Sequence, residues 1–458
     1  MLSSTLTTYQ AYDPALLDPI GEVPNLTASD VDRAVELATE AQLSWAADLD
    51  TRRVALREVV HRIRADADRL ARLVSLEQGK DLKLANVEVA MTAAIFEYYA
   101  NFEWSDLRLP DRDNRQVTVQ LRPYGVVAAV TPWNYPLSLL APKVAPALIA
   151  GNTVIAKPAA TTALCTVALV DLMNEVLPEG VLQCVTSNAG ATRGLASHPG
   201  VAKVSVTGSG PTGQAIMRRA ADRMQRVTLE LGGNDPAIVT ADVDIPEAAR
   251  RIAASAFRNA GQTCISIKRV FVDRSVESEF TDALAGVVSA LQVGHGVAQG
   301  TDIGPVHTAK QRDFVIDLID DAVRSGARIV TGGDKGSDLP GHFVAPTVVT
   351  DIDPAARLVV EEQFGPVLPV VAFDGIDTAI ELANAGPFGL GSSIWSADLD
   401  AAYAIAERIN AGTVWINQHT VVELDAPFGG WKESGLGRER GAWGLNEYLQ
   451  TRTVNVAL

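Results

Sequence analysis

From Ser29 to Ala47, and again from Thr51 to Gln78, apolar residues return every three or four positions among many charges, the spacing that lets one face of an α-helix bury itself. Two amphipathic helices are predicted there. Thr27, Ser29 and Asp30 open the first, because their side-chain oxygens can accept from the unpaired amides of a first turn. The period shortens to two in QVTVQL (116–121) and in QTRTVNV (450–456), so each reads as a half-buried strand. After Gly125 the pattern becomes strand, turn, helix: VVAAVTP before KVAPALIAG, TVIAKP before TALCTVALVDLMNEV, and VLQCVTS before the segment leading to VAKVSVTGS. A second series follows, with RVFV, RIVTGG, LPVVAF, GSSIWS and TVWIN as candidate strands. Strands alternating with helices imply parallel sheets, which hold ligands beyond the carboxyl ends of their strands. The polar turns at those ends are where chemistry is sought.

With 458 residues, 47% hydrophobic and 21% charged, the chain has room for two or three folded domains and little for disorder. The 55 acidic and 39 basic side chains leave a net charge of −16, which argues against nucleic acid or an anionic membrane surface as a partner. Met1 to Ile20 holds no Lys or Arg, so no secretory leader is expected. The longest apolar stretch, Val126 to Ala156, is interrupted by Pro132, Pro136, Pro142, Lys143 and Pro146 and reads as buried core rather than a membrane span. A cytoplasmic protein is expected. Cys165, Cys184 and Cys264 are too few for a disulfide framework or a four-ligand zinc site; no metal is expected, and one thiol remains a candidate nucleophile.

Seven segments stand out in order: TPWNYP (131–136), IAKP (155–158), VTGSGPTG (206–213), LELGGND (229–235), NAGQTC (259–264), EEQFGPV (361–367) and APFGGWKESGLGRE (426–439). In that order, over nearly its whole length, the chain resembles the NAD(P)-dependent, hydrolytic aldehyde dehydrogenases. The resemblance implies an α/β fold. A Rossmann-like cofactor domain would comprise 1–110 and 126–232, an α/β catalytic domain 233–432, and a small β oligomerisation arm 111–125 and 446–458. The arm would add a strand to a neighbour's sheet in a homodimer or homotetramer; pairing of its two strands within one chain is the alternative.

The chemistry agrees. An aldehyde hydrogen leaves poorly as hydride until the carbonyl carbon is tetrahedral with a negative oxygen, so a nucleophile must add first. Cys264 follows the polar Gly261-Gln262-Thr263 approach, whereas Cys165 lies in an apolar helical pattern and Cys184 in a strand. Alone, a Cys is more often a small buried hydrophobe; the family places its thiol at the end of NAGQTC. The oxyanion then needs fixed donors, and the resemblance assigns Asn134, which taken alone is a turn former, with the Cys264 backbone N–H. Hydrolysis of the resulting thioester needs a base, and Glu230 matches the family's base, with Gly232-Gly233 behind it allowing close backbone approach.

The dinucleotide, NAD or NADP, is expected at VTGSGPTG. Its literal G-x-G-x-x-G departs from the family, which usually lacks the middle glycine, here Gly210. The resemblance implies that Thr207 lies near the nicotinamide and that Gly208, Ser209 and the helix from Gly213 approach the pyrophosphate. Lys157 would bind the adenosine ribose and Glu362 the nicotinamide ribose, with Phe364, Trp133 and Leu231 beside the cofactor. Three residues beyond Lys157, NAD-preferring relatives often carry a Glu; Ala160 leaves the 2′-phosphate unopposed, so both cofactors are expected, NAD somewhat preferred. The small-molecule aldehyde itself is not specified. Its pocket would include Tyr135, Leu139, Arg258, Ile265, Val422 and Phe428, a mixed lining. Arg258 departs from the apolar residue common there; its expected partner is Glu423 or Asp425, which would leave the substrate tail neutral, and the alternative is an anionic or strongly polar substrate. Acyl transfer to coenzyme A and a catalytically silent binding role are the rival readings; Glu230 argues against the first and the intact Cys264, Asn134 and Glu230 against the second.

Overall fold

The computed structural model describes residues 7–111, 114–188, 190–334 and 336–458. The first six residues of the expected cofactor domain, and 112 and 113 of the expected arm, therefore lie outside the described residues. An antiparallel hairpin, β1 (Thr8–Tyr12) and β2 (Pro19–Pro24), precedes four helices: α1 (Ala28–Ala47), α2 (Leu49–Ala65), α3 (Ala67–Gln78) and α4 (Leu82–Ala100). α1 begins where expected, in a reciprocal cap: Asp30 Oδ2 accepts the Thr27 N–H at 2.8 Å while Thr27 Oγ1 accepts the Asp30 N–H at 3.4 Å. The single helix expected over 51–78 is corrected to two. Asp66 leaves helical geometry (φ −108°, ψ 16°), although the apolar period runs on through the break. α3 then stops at Gly79, whose φ of 102° a side chain would resist.

A two-residue strand β3 (Leu107–Arg108) and β4 (Arg115–Pro123) lead into β5 (Val126–Val130), α5 (Ala141–Ile149), β6 (Thr153–Lys157), α6 (Ala163–Asn174), β7 (Leu182–Cys184), β8 (Val201–Thr207), α7 (Gly210–Ala221) and β9 (Arg226–Glu230). β5 to β9 are parallel, in the order β9-β8-β5-β6-β7. Alternate residues of β5 serve opposite faces: Val127 and Ala129 join the core under α2 to α6, and Val126 and Ala128 join α1 and α7. Burial on both sides is why VVAAV reads as an unbroken apolar run. Strand order reverses between β5 and β8, which are neighbours, so the turns after them, TPWNYP and TGSG, open side by side.

The second sheet holds β10 (Asp235–Val239), β11 (Ile267–Asp273), β12 (Arg328–Thr331), β13 (Thr347–Thr350), β14 (Val367–Phe373), β15 (Gly391–Trp395) and β16 (Thr413–Ile416), in the order β12-β13-β14-β11-β10-β15-β16. Only β12 runs antiparallel to its neighbour. The chain then returns: β17 (Gly435–Leu436) adds antiparallel to β9, closing that edge of the first sheet. The last strand, β18 (Leu449–Ala457), pairs antiparallel with β4 from Leu449↔Pro123 to Ala457↔Arg115. The two alternating strands thus pair within one chain, the alternative to strand donation by β4 and β18 together, while β18 from Gln450 onward is exposed and lies at the edge of its three-stranded sheet. No helix among the described residues is long and apolar enough to cross a membrane.

Replacing Thr27 with Ala removes one accepting oxygen of the α1 cap. Amide exchange in the first turn of α1, read by mass spectrometry, is expected to speed up by the factor that about 1 kcal/mol allows.

Candidate active site

Cys264 ends a turn that the backbone adopts reluctantly. Asn259, Ala260 and Gly261 have φ of 53°, 53° and 72°, three successive left-handed residues of which two carry a Cβ. Buried polar groups hold them. Asn259 Nδ2 donates to the Asn134 carbonyl at 3.1 Å, Gln262 Nε2 to the Asn259 carbonyl at 2.9 Å, and Gln262 Oε1 accepts the His307 N–H at 2.8 Å. Lys268, wholly buried, donates to the carbonyls of Gly261 and Thr263. Glycine is required at 261, where an added Cβ would stand 2.1 Å from the Gly365 carbonyl oxygen.

A cavity of about 230 Å³ opens in front of this turn, lined by Cys264, Asn134, Trp133, Thr207 to Ser209, Leu231, Gly232, Glu362 and Phe364 among others. The candidate nucleophile, the candidate oxyanion donor and most of the expected cofactor residues, distant in sequence, thus share one space. Asn134 is 2% exposed; its Nδ2 donates to the Gln262 carbonyl at 2.9 Å, a bond that uses one of the two amide hydrogens. Burial above all pushes the Cys264 thiol up to about 12, with the Lys268 ammonium opposing and the carboxylates of Asp235, Glu362 and Glu230 adding to the rise. Ile265, Leu390, Trp415, Val422 and Phe428 pack around the thiol's own side of the loop.

The residues present fit a dinucleotide. Ser209 is the N-cap of the 12-residue α7 yet gives the helix no side-chain cap, because its hydroxyl pairs with Thr212 Oγ1 at 2.9 Å; the first-turn amides keep their donors. Thr207 Oγ1 is buried without a partner. At Gly213 an added Cβ would come within 2.7 Å of Leu231, so α7 packs directly on that residue. Glu362 accepts the Gly233 N–H at 3.1 Å, and burial chiefly pushes its carboxyl up to about 7 against the pull of Lys268. Gly232 leaves it that space, since an added Cβ would lie 2.3 Å from Glu362 Oε2. Phe364, at a left-handed φ of 46°, meets Trp133 edge-on with ring centroids 5.5 Å apart. Lys157 stands elsewhere, at the end of β6 and half-buried, its ammonium made less basic mainly by burial and then by Arg193.

Three placements differ from the simplest picture. Glu230 is not in the lining of the cavity. It ends β9, 3% exposed, with neither carboxylate oxygen bonded; Oε1 lies against Gly429, near the buried Lys143–Glu439 ion pair. Burial, and then the Glu439 charge, hold its carboxyl well above the usual range, with Lys143 and Arg438 opposing. Tyr135 bonds through its hydroxyl to Thr263 Oγ1 at 2.9 Å, and Leu139 lies one turn on, half-buried, its N–H on the Tyr135 carbonyl at 3.1 Å. Arg258 opens instead on a neighbouring cavity of about 390 Å³ with Asp81, Leu84, Val87, Phe257 and Asp302. Its expected pairing with Glu423 or Asp425 is corrected: among the described residues it forms no ion pair, and those two acids are exposed. Lys80, Glu88, Lys143, Lys268 and Glu439 escaped the sequence reading because, as isolated charges, they look like ordinary surface residues.

The model of the aldehyde dehydrogenase family matches residues 1–454. The chain is 40% identical over 444 residues to geranial dehydrogenase of Castellaniella defragrans, covering 95% of this chain and 92% of that one. It is 37% identical over 452 residues to the NADP(+) succinate-semialdehyde dehydrogenase of Escherichia coli, covering 97% and 94%. The betaine aldehyde dehydrogenase of Staphylococcus aureus, solved in complex with NAD+, superposes with a TM-score of 0.95 at 33% identity, covering 98% and 92%. The family model runs from residue 1 to 454, and these relatives, at 33–40% identity, are matched over nine-tenths or more of both chains; the protein belongs to the aldehyde dehydrogenase family.

Proposed function

We propose that the protein oxidises an aldehyde to a carboxylic acid with NAD or NADP, and that Cys264, Asn134 and Glu230 carry the chemistry. The observation that supports this most is the single cavity into which Cys264, Asn134 and the turn from Thr207 to Ser209 all open. Cys264 Sγ adds to the carbonyl carbon as its proton passes to water, and the carbonyl oxygen becomes an oxyanion facing Asn134 Nδ2 and the Cys264 N–H. Bound in the cavity, the dinucleotide supplies the acceptor for the hydride. Collapse of the oxyanion expels that hydride and leaves a thioester on Cys264. Glu230, turned about its side-chain bonds toward the thioester, takes a proton from water as the water oxygen attacks; the carbon–sulfur bond breaks and the thiol is restored. A base for water serves no purpose in transfer to coenzyme A, and Glu230 therefore favours hydrolysis.

In this reading Thr207 lies by the nicotinamide, Gly208, Ser209 and the helix from Gly213 approach the pyrophosphate, Lys157 holds the adenosine ribose and Glu362 the nicotinamide ribose, with Phe364 beside the ring and Trp133 and Leu231 beside the cofactor. Ala160 presents no carboxylate to a 2′-phosphate, so both cofactors are accepted. The segments 1–110 with 126–232 form the cofactor domain, 233–432 the catalytic domain, and 111–125 with 446–458 the arm. The exposed outer edge of β18 joins a neighbouring subunit in a cytoplasmic dimer or tetramer. The substrate's tail is polar or anionic: Arg258 forms no ion pair among the described residues and stands half-buried at the wall of a cavity that Asp81 and Asp302 also line, and its fork can bind a carboxylate in bidentate fashion. Tyr135, Leu139, Ile265, Val422 and Phe428 supply the apolar part of the pocket.

Cys264→Ala should show no NAD(P)H formation at 340 nm, and steady turnover in it would contradict the mechanism. Glu230→Gln should give one rapid burst of reduced cofactor per site and then slow turnover. Because burial holds Glu230 above the usual carboxylate range, its basic form grows as pH climbs: wild-type turnover should rise with pH, and the Gln variant should lose that rise.

Arg258→Leu should lower kcat/KM for aldehydes ending in a carboxylate by about ten- to a hundredfold, the worth of one charge-assisted hydrogen bond, and leave neutral aldehydes nearly unchanged. Equal loss in both classes would assign Arg258 to structure alone. In sedimentation, Val454→Asp with Val456→Asp, placed on the exposed face of β18, should shift the protein toward monomer.

A further inference from the structure

Two charged side chains outside every motif are buried beside the oxyanion turn. Lys80 follows the Gly79 stop of α3 and is 1% exposed; Glu88, on α4, is 2% exposed. They form an ion pair with each other. The remaining bonds of both go to one place. Lys80 Nζ donates to the Asn134 carbonyl at 2.8 Å and stands 3.6 Å above the Tyr135 ring, so its other directions are filled by the residue on either side of one peptide bond. Glu88 Oε1 accepts the N–H of Leu137 at 2.9 Å and of Ser138 at 3.3 Å. The stretch from Asn134 to Ser138 is thus held at two points, by a donor on the Asn134 carbonyl and an acceptor on the Leu137 and Ser138 amides. On the far side Asn259 Nδ2 meets the same Asn134 carbonyl, so the grip extends to the loop that carries the thiol.

Such a pair is a poor device for stability, because desolvating two charges offsets most of their attraction and apolar residues of the same volume do as well. Fixing a direction is what it does well. An oxyanion donor acts only if its N–H already points where the charge will develop, and a displacement of about 1 Å costs much of its effect. We propose that Lys80 and Glu88 are positioning residues for this reaction, holding the turn so that the Asn134 amide faces the thiohemiacetal oxygen. This rests on the oxyanion role proposed above for Asn134.

A double-mutant cycle separates positioning from mere support. The neutral replacement Lys80→Met with Glu88→Gln leaves no unpaired buried charge and keeps a side-chain oxygen for the Leu137 and Ser138 amides. It is made in the wild-type and in the Asn134→Ala background, and the rate of reduced-cofactor formation is measured in a single turnover. In the wild-type background the rate should fall about tenfold to a hundredfold, and in the Asn134→Ala background by less than about threefold, since the donor that the pair orients is already gone. Alkylation of Cys264 by iodoacetamide should proceed at the same rate in all four proteins. Equal loss in both backgrounds, or no loss in the first, overturns the proposal. An Asn134→Ala enzyme with the wild-type rate overturns the oxyanion role on which it rests, and is recognised without the pair variants. Should the neutral pair fail to fold, Lys80→Arg, which keeps a cation against Glu88 but moves the donor off the Asn134 carbonyl, goes through the same cycle with the same two outcomes.

Discussion

The left-handed run from Asn259 to Gly261 is the constraint on which the active site depends. Residues with a Cβ enter that conformation at a cost of order 1–3 kcal/mol each, and they stay there only when the surroundings over-determine them. Here the surroundings are polar and buried: Gln262, Lys268 and Asn259 each donate to a backbone carbonyl of this loop. Because Asn259 also reaches the Asn134 carbonyl, the loop that carries the thiol and the turn that carries Asn134 are set by the same bonds. Neither can relax without disturbing the other.

Burial explains the electrostatic character of the site. Cys264, Glu362 and Glu230 are all displaced toward their neutral forms, and in each the leading cause is loss of solvent. Two buried lysines oppose it, Lys268 beside the thiol and Glu362, and Lys143 beside Glu230 and Glu439. The thiol and the carboxyl proposed as base are thus opposed by different cations, while the Glu230 charge itself adds to the rise at Cys264.

What the chain spells out locally could be read, and what it builds across distance could not. VVAAV and TVIAK are doubly covered strands, apolar on both faces, and VAKVSVT sets its valines on one face with Lys203 and Ser205 buried on the other; these patterns are enough to find them. Turns such as TPWNYP carry their chemistry in consecutive residues. The break at Asp66 was hidden because the apolar positions on either side keep helical spacing; the geometry changes for one residue and the period does not. β13 is four residues long and β17 two, too short to show any period. Lys80, Glu88, Lys143 and Glu439 are charged side chains whose partners lie on other elements, and no pattern along the chain marks a charge as buried. Arg258 shows the same limit from the other side. The resemblance brought Glu423 and Asp425, distant in sequence, to its channel as counter-ions, and three-dimensional placement withholds both.

β17 closes the edge of the first sheet on β9 with residues 435 and 436, and the carbonyl of Tyr448 accepts from the Asn152 side chain beside β6. A sheet begun at Val126 is thus finished by the last two dozen residues. Without residues 435–439 the β9 edge would be open and Glu230 would lack its Glu439 neighbour. The first sheet cannot be completed by its own stretch of chain: an unpaired strand edge, a template for wrong partners, is what that return covers.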